Sequence, residues 1–164
     1  MTEPSIWGAN LPAEQRRVRE RCHHPCGEFA AFSESEVEQS IPDRFGRQVA
    51  RHPGRLAVRS GSCELTYNEL NAAANRVAHG LLSRSAPQAD CVALLCEEGV
   101  PLVVATLGAL KAGKLYALLE QSCPPARMAE ILEDCGARTL LHNSRNAALA
   151  RELKIARTQT LVLT

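Results

Sequence analysis

The stretch Gly108-Ala-Leu-Lys-Ala-Gly113-Lys114 has the spacing G-x-x-x-x-G-K, in which backbone amides and a lysine can cradle phosphates. Two features remove it from that chemistry. The next position should be Ser or Thr to hold magnesium, and here it is Leu115. The loop must also run from a strand into a helix, whereas Pro101 to Ala112 reads as a helix and Leu115 to Leu119 as the strand that follows. The glycines are therefore read as structural, Gly108 for close helix packing and Gly113 for a left-handed helix end, with Lys111 meeting the negative end of the helix dipole.

The other reactive groups are soft ligands. Cys22-His23-His24-Pro25-Cys26 packs four candidate zinc ligands into five residues, but a structural zinc site needs a second ligand pair at a recognisable spacing and none follows. Seven cysteines, at 22, 26, 63, 91, 96, 123 and 135, are an odd number, and several fall in apolar segments where a reduced thiol acts as a small hydrophobe. Cys91 and Cys96, five apart on one strand, point to opposite faces and form no local metal pair. His79 reads as a surface residue, His142 stands at a strand end with no nucleophile beside it, and Tyr67 and Tyr116 read as core-edge packing. No catalytic, cofactor-binding or metal-binding residue is assigned.

Those residues sit in a chain of 164 residues, long enough for one ordinary domain with a real core. A formal charge of +1 and 45% hydrophobic residues exclude a disordered chain or a polyelectrolyte. The longest apolar run, Val100 to Glu120, is broken by Lys111 and Lys114, and MTEPSIWGANLPAEQ lacks a secretory layout, so no membrane contact and a cytoplasmic location are expected. Residues 1 to 40 read as a leader with a short basic helix over Leu11 to Cys22. Three Glu residues within Glu14 to Glu28 and the lack of an aromatic ladder beside the arginines argue against nucleic acid there.

From Ile41 the periodicity sharpens. Ser40 caps an amphipathic helix over Ile41 to Arg51, ended by His52-Pro53; Arg55 to Arg59 and Cys63 to Tyr67 form a hairpin through Ser60-Gly61-Ser62. Thr66-x-x-Glu69 is a capping box opening a helix to about Ser83, with Leu70, Ala73, Ala74, Val77 and Leu81 on one face. Strands and helices then alternate: Cys91 to Cys96, Pro101 to Ala112, Leu115 to Leu119, Pro125 to Cys135, Arg138 to His142, Ala147 to Lys154, Thr160 to Leu163. Leu115 to Leu119, being apolar throughout, is expected to be buried on both faces. Such alternation implies an α/β fold, a mainly parallel sheet with helices on both faces.

Leu65-Thr-Tyr-Asn-Glu-Leu70 with Asn71-x-x-Ala74-Asn75-Arg76-x-Ala78 resembles the first core motif of amino-acid adenylation domains of nonribosomal peptide synthetases. Leu110-Lys-Ala-Gly113, Tyr116 and Pro125-x-Arg127 resemble the second, and Ile41-Pro42-x-x-Phe45 and Ile131-Leu-Glu-Asp134 resemble the flanking helices. The resemblance spans about Ser40 to Thr164 and implies the incomplete N-terminal subdomain of the acyl-adenylate-forming fold, residues 41 to 164, truncated before the phosphate loop. Where that family runs Ala-Tyr-Val-Pro-Leu-Asp, this chain has Lys114-Leu-Tyr-Ala-Leu-Leu-Glu120, with Cys123 at a position where an aromatic is common.

The resemblance implies, for a complete domain, activation of an amino or other carboxylic acid by ATP and magnesium as an acyl-AMP, then transfer to a carrier-protein thiol. The two motifs present are structural in that family, and its ATP-binding and catalytic elements lie outside this sequence. The chain alone is therefore expected to be inactive, with the rest of an adenylation domain and a carrier protein as partners. A non-catalytic interaction module derived from the same scaffold is the alternative. The apolar strand Thr160 to Leu163 suggests an uncovered surface that another segment or a second copy would cover, the latter giving a homo-oligomer.

Overall fold

Residues 12–15, 17, 36–84, 90–153 and 159–163 are described by the structure, a computed structural model. The chain divides into two units, Met1–Glu38 and Gln39–Thr164. In the first, residues 13–15 and 17 are helical, within the helix expected over Leu11 to Cys22. The Cys22 to Cys26 cluster lies outside the described residues.

The second unit starts with α1 (Ile41–Arg51), capped by the Ser40 hydroxyl, which accepts from the Asp43 amide at 3.2 Å. Its apolar residues do not make the buried face their spacing suggests. Ile41 is 63% exposed and no residue of the helix is fully buried; Phe45 provides the anchor, packing against the core and beside the Tyr67 ring. The hairpin follows as β1 (Leu56–Ser60) and β2 (Cys63–Thr66), antiparallel, its turn made by Gly61 at φ 59° and Ser62. It forms a two-stranded sheet of its own.

The capping box is present in full at the start of α2 (Tyr67–Leu82). Glu69 Oε2 accepts from the Thr66 amide and hydroxyl, each at 2.8 Å, and the Glu69 amide donates to the Thr66 hydroxyl at 3.3 Å. The helix buries Leu70, Ala74, Val77, Ala78 and Leu81, a stripe at helical spacing that differs from the expected one only in Ala78 for Ala73.

The main sheet is wholly parallel, with order β4 (Leu115–Leu118), β3 (Cys91–Leu95), β5 (Thr139–Asn143), β6 (Gln159–Leu163). Its connections carry α3 (Val100–Lys111), α4 (Pro125–Asp134) and α5 (Ala147–Glu152), the last after a 3-10 turn at Ser144–Asn146. Strand alternation divides the core. Val92, Leu94 and Leu141 pack with α2 and α3, while Ala93, Leu95 and Leu140 pack with Met128 and Leu132 of α4 and Ala150 of α5. Helices thus cover both faces.

One expectation is overturned. β4 is not buried on both faces: Leu115 is 66%, Tyr116 40% and Leu118 49% exposed. The strand order explains this, because β4 is an edge strand, while β3 and β5 take the centre and bury Val92 to Cys96 and Thr139 to His142.

The hydrogen bonds from Thr66 hold the Glu69 carboxyl below its ordinary 4.5, the backbone amide contributing most. A carboxylate whose pKa is lower in the folded chain stabilises above its unfolded pKa, and that contribution is lost as pH falls through the folded value. Glu69→Ala is therefore expected to lower the melting temperature at pH 7, and the gap from the parent should close as pH drops below 4.5. A gap of constant size from pH 7 to pH 3 would contradict the capping account.

Candidate functional site

In an open parallel sheet, ligands bind beyond the carboxyl ends of the strands where successive connections leave in opposite directions. Here β3 leads through α3 to β4 on one side, and β5 leads through α5 to β6 on the other. The switch lies between the carboxyl ends of β3 and β5. A cleft of about 470 Å³ opens beside it, with Cys96, Glu97 and Glu98 after β3 and Glu120, Gln121 and Ser122 after β4.

A polar network joins the two central strand ends. Asn143 Nδ2 donates to Glu97 Oε2, and Asn146 Nδ2 donates to Asn143 Oδ1 at 2.8 Å, with Asn146 buried. Arg145 Nε stands 3.9 Å from Glu97 Oε1, but its side chain is 83% exposed, so water screens the pair. Beneath them, burial pushes the Cys96 thiol up to about 11, the Glu97 carboxylate adding to the shift and the Asn143 backbone opposing it. Cys96 is thus a neutral thiol at physiological pH. His142 is buried beside the network, its Nδ1 2.9 Å from the Asn143 carbonyl oxygen, a distance that suits an Nδ1–H donor.

The cleft does not fit a triphosphate. Three carboxylates line it, with no lysine or arginine among its lining residues. Among the described residues no group of three or more His, Cys, Asp or Glu side chains could hold a metal ion. No helix among them is long and apolar enough to cross a membrane.

The G-x-x-x-x-G-K stretch lies elsewhere, and each of its parts has a packing role. Gly108 is in the middle of α3, where an added Cβ would meet Val77 Cβ and Cγ1 at 2.5 Å and the Ala74 carbonyl oxygen at 3.2 Å. Gly113, at φ 67°, ends α3 in a Schellman turn: its amide donates to the Leu110 carbonyl and the Lys114 amide to the Ala109 carbonyl, both at 3.0 Å. Lys114 is buried, its Nζ 2.6 Å from Asp90 Oδ1. Lys111 donates to Asn71 Oδ1 at 2.8 Å and sits 5.7 Å from the centre of the Phe45 ring; burial lowers its pKa. The order is helix into strand, as the sequence indicates.

The profile of the AMP-binding enzyme family matches residues 45–164. This chain belongs to that family. Surfactin synthase subunit 1 of Bacillus subtilis (strain 168) is 34% identical over 144 residues, 78% of this chain and 4% of that protein. Phosphinothricin tripeptide synthetase PhsB of Streptomyces viridochromogenes is 34% identical over 142 residues, 85% of this chain and 12% of that protein. Among solved structures, the AMPPNP-bound form of the nonribosomal peptide synthetase FmoA3 superposes with TM-score 0.69 at 34% identity, covering 76% of this chain and 13% of that one. The N-terminal subdomain of Klebsiella oxytoca NpsA shares the fold, with TM-score 0.66 at 23% identity, covering 76% of this chain and 31% of that one. The chain corresponds to the N-terminal portion of an adenylation domain and spans only a small part of its relatives.

Sequence reading missed Glu97, Asn143 and Asn146. The available signal was positional, since in a βαβα alternation the residues just past each strand collect at one end of the sheet. It did place Gly108, Gly113 and His142 correctly in their elements.

Three mutational outcomes follow from this geometry. Gly108→Ala should cost about 1–3 kcal/mol by overpacking, and Gly113→Ala about 1–2 kcal/mol by backbone strain alone, since nothing lies within 4 Å of a Cβ at Gly113. Urea denaturation in a Val77→Gly background, which removes both Val77 atoms that the new Cβ would meet, separates them, because only the Gly108 penalty should shrink. Asn143→Leu, which strips Glu97 and Asn146 of a shared partner, should destabilise by about 1–3 kcal/mol. An unchanged denaturation midpoint in that variant would mean the network contributes nothing.

Proposed function

We propose that this chain supplies the N-terminal scaffold of an adenylation domain that activates an amino or other carboxylic acid with ATP, releasing pyrophosphate, and passes the acyl group to a carrier-protein thiol. By itself the chain is inactive. Residues 41 to 164 form the domain portion, and residues 1 to 40 act as the linker before it. Magnesium and the triphosphate are held by the remainder of the domain, which also shapes the acid pocket.

The observation that carries this reading is the acidic cleft at the carboxyl ends of β3 and β4, where Glu97, Glu98 and Glu120 offer no site to a triphosphate. Catalysis of acyl-adenylate formation depends on preorganised positive charge around the phosphates, and a wall of carboxylates opposes it. The carrier-protein partner is supported by the likeness to synthetases and to an artificially fused adenylation-PCP di-domain. An apolar hollow of about 420 Å³, which includes Leu161, Val162 and Leu163 of β6 with Val77 and Val104, suits docking by the remainder of the domain.

ATP-pyrophosphate exchange with each proteinogenic amino acid tests the proposal. The purified chain should give no exchange above a no-enzyme blank. Adding the remainder of a homologous adenylation domain in trans should produce exchange with at least one acid. Exchange by the chain alone that survives repurification would refute its inactivity, and failure of every complementing segment would refute its role as the scaffold of an active domain.

A further inference from the structure

The amino end of the sheet, away from the cleft, brings two thiols together. Cys91 is the first residue of β3 and Cys135 is the C-cap of α4. The register explains the meeting: Val92 lies opposite Thr139, so the short return from α4 into β5 carries Cys135 back toward the start of β3. Both side chains are half-buried against the same apolar cluster, and both line one open depression of about 490 Å³ beside Lys114 and Tyr116. The Cys135 thiol stands near enough to Cys91 to act on its titration. Other cysteines are placed differently. Cys96 lies buried at the opposite end of β3 with the other core cluster, Cys123 precedes α4, and Cys63 is exposed on the hairpin.

We propose that Cys91 and Cys135 form a reversible intramolecular disulfide, closed by exchange with a small-molecule disulfide, that staples the start of β3 to the end of α4. One cysteine thiolate attacks the small disulfide to give a mixed disulfide and one released thiol. The second cysteine thiolate then attacks the protein sulfur of that mixed disulfide and releases the other small thiol. Two electrons pass from the cysteine pair to the reagent, and the two cysteine protons end on the two released thiols. Because the depression is open, the reagent can reach both sulfurs. The bond would close a loop containing α3, β4 and α4, which restrains the unfolded chain more than the folded one.

Burial, the neighbouring Cys135 thiol and the Asp90 carboxylate push the Cys91 thiol above its ordinary value, so exchange should quicken as pH rises from 7 to 9. The test is incubation of the reduced full chain with oxidised glutathione at pH 8.5, followed by alkylation and non-reducing peptide mapping. The expected product is a single Cys91–Cys135 cross-linked peptide that dithiothreitol reverses, with a melting temperature raised by several degrees. Cys135→Ser should leave Cys91 as a stable glutathione adduct without a cross-link; if that variant does not fold, the map of the parent chain still decides. Glutathione adducts on both cysteines without a cross-link, a cross-link from either one to another cysteine, or both thiols left free at equilibrium would each overturn the proposal.

Discussion

The close approach of α2 and α3 at Gly108 and Val77 sets the frame for the rest of the domain portion. With no β-carbon at Gly108, the Val77 side chain enters the surface of α3, and any larger residue there would force the two helices apart. The pair forms one cover of the sheet, over Val92, Leu94 and Leu141. Three residues further along α3, Lys111 reaches across to Asn71 of α2 and over the Phe45 ring, so α1 is fastened to the same pair. The Schellman turn at Gly113 then delivers the chain into β4, alongside β3.

The two ends of the sheet have different chemistry. At the carboxyl end the cleft is lined by carboxylates, and the Glu97, Asn143 and Asn146 side chains tie the loops after β3 and β5 together. These hydrogen bonds hold the two loops to each other at one side of the cleft. At the amino end, the buried Lys114–Asp90 pair and the two thiols of Cys91 and Cys135 lie under the edge formed by β4. A buried ion pair adds little net stability compared with apolar packing, yet removing one partner strands the other charge. Lys114 is therefore bound to its place by Asp90.

Local signals carried most of the fold. The Ser40 cap, the Thr66–Glu69 box, the left-handed Gly113 and the alternation of strand and helix each depend on a few consecutive residues, and each appears where the sequence puts it. The family likeness rested on two such stretches, Leu65 to Ala78 and Leu110 to Arg127, and the comparisons agree with it. What the sequence could not decide was lateral order. Leu115 to Leu118 is as apolar as a central strand, but hydrophobicity reports what a segment tolerates and not which strand lies beside it. Only the tertiary arrangement β4-β3-β5-β6 made it an edge, gave the centre to Cys91–Leu95 and Thr139–Asn143, and brought Glu97 to Asn143 and Cys91 to Cys135 across long separations in the chain.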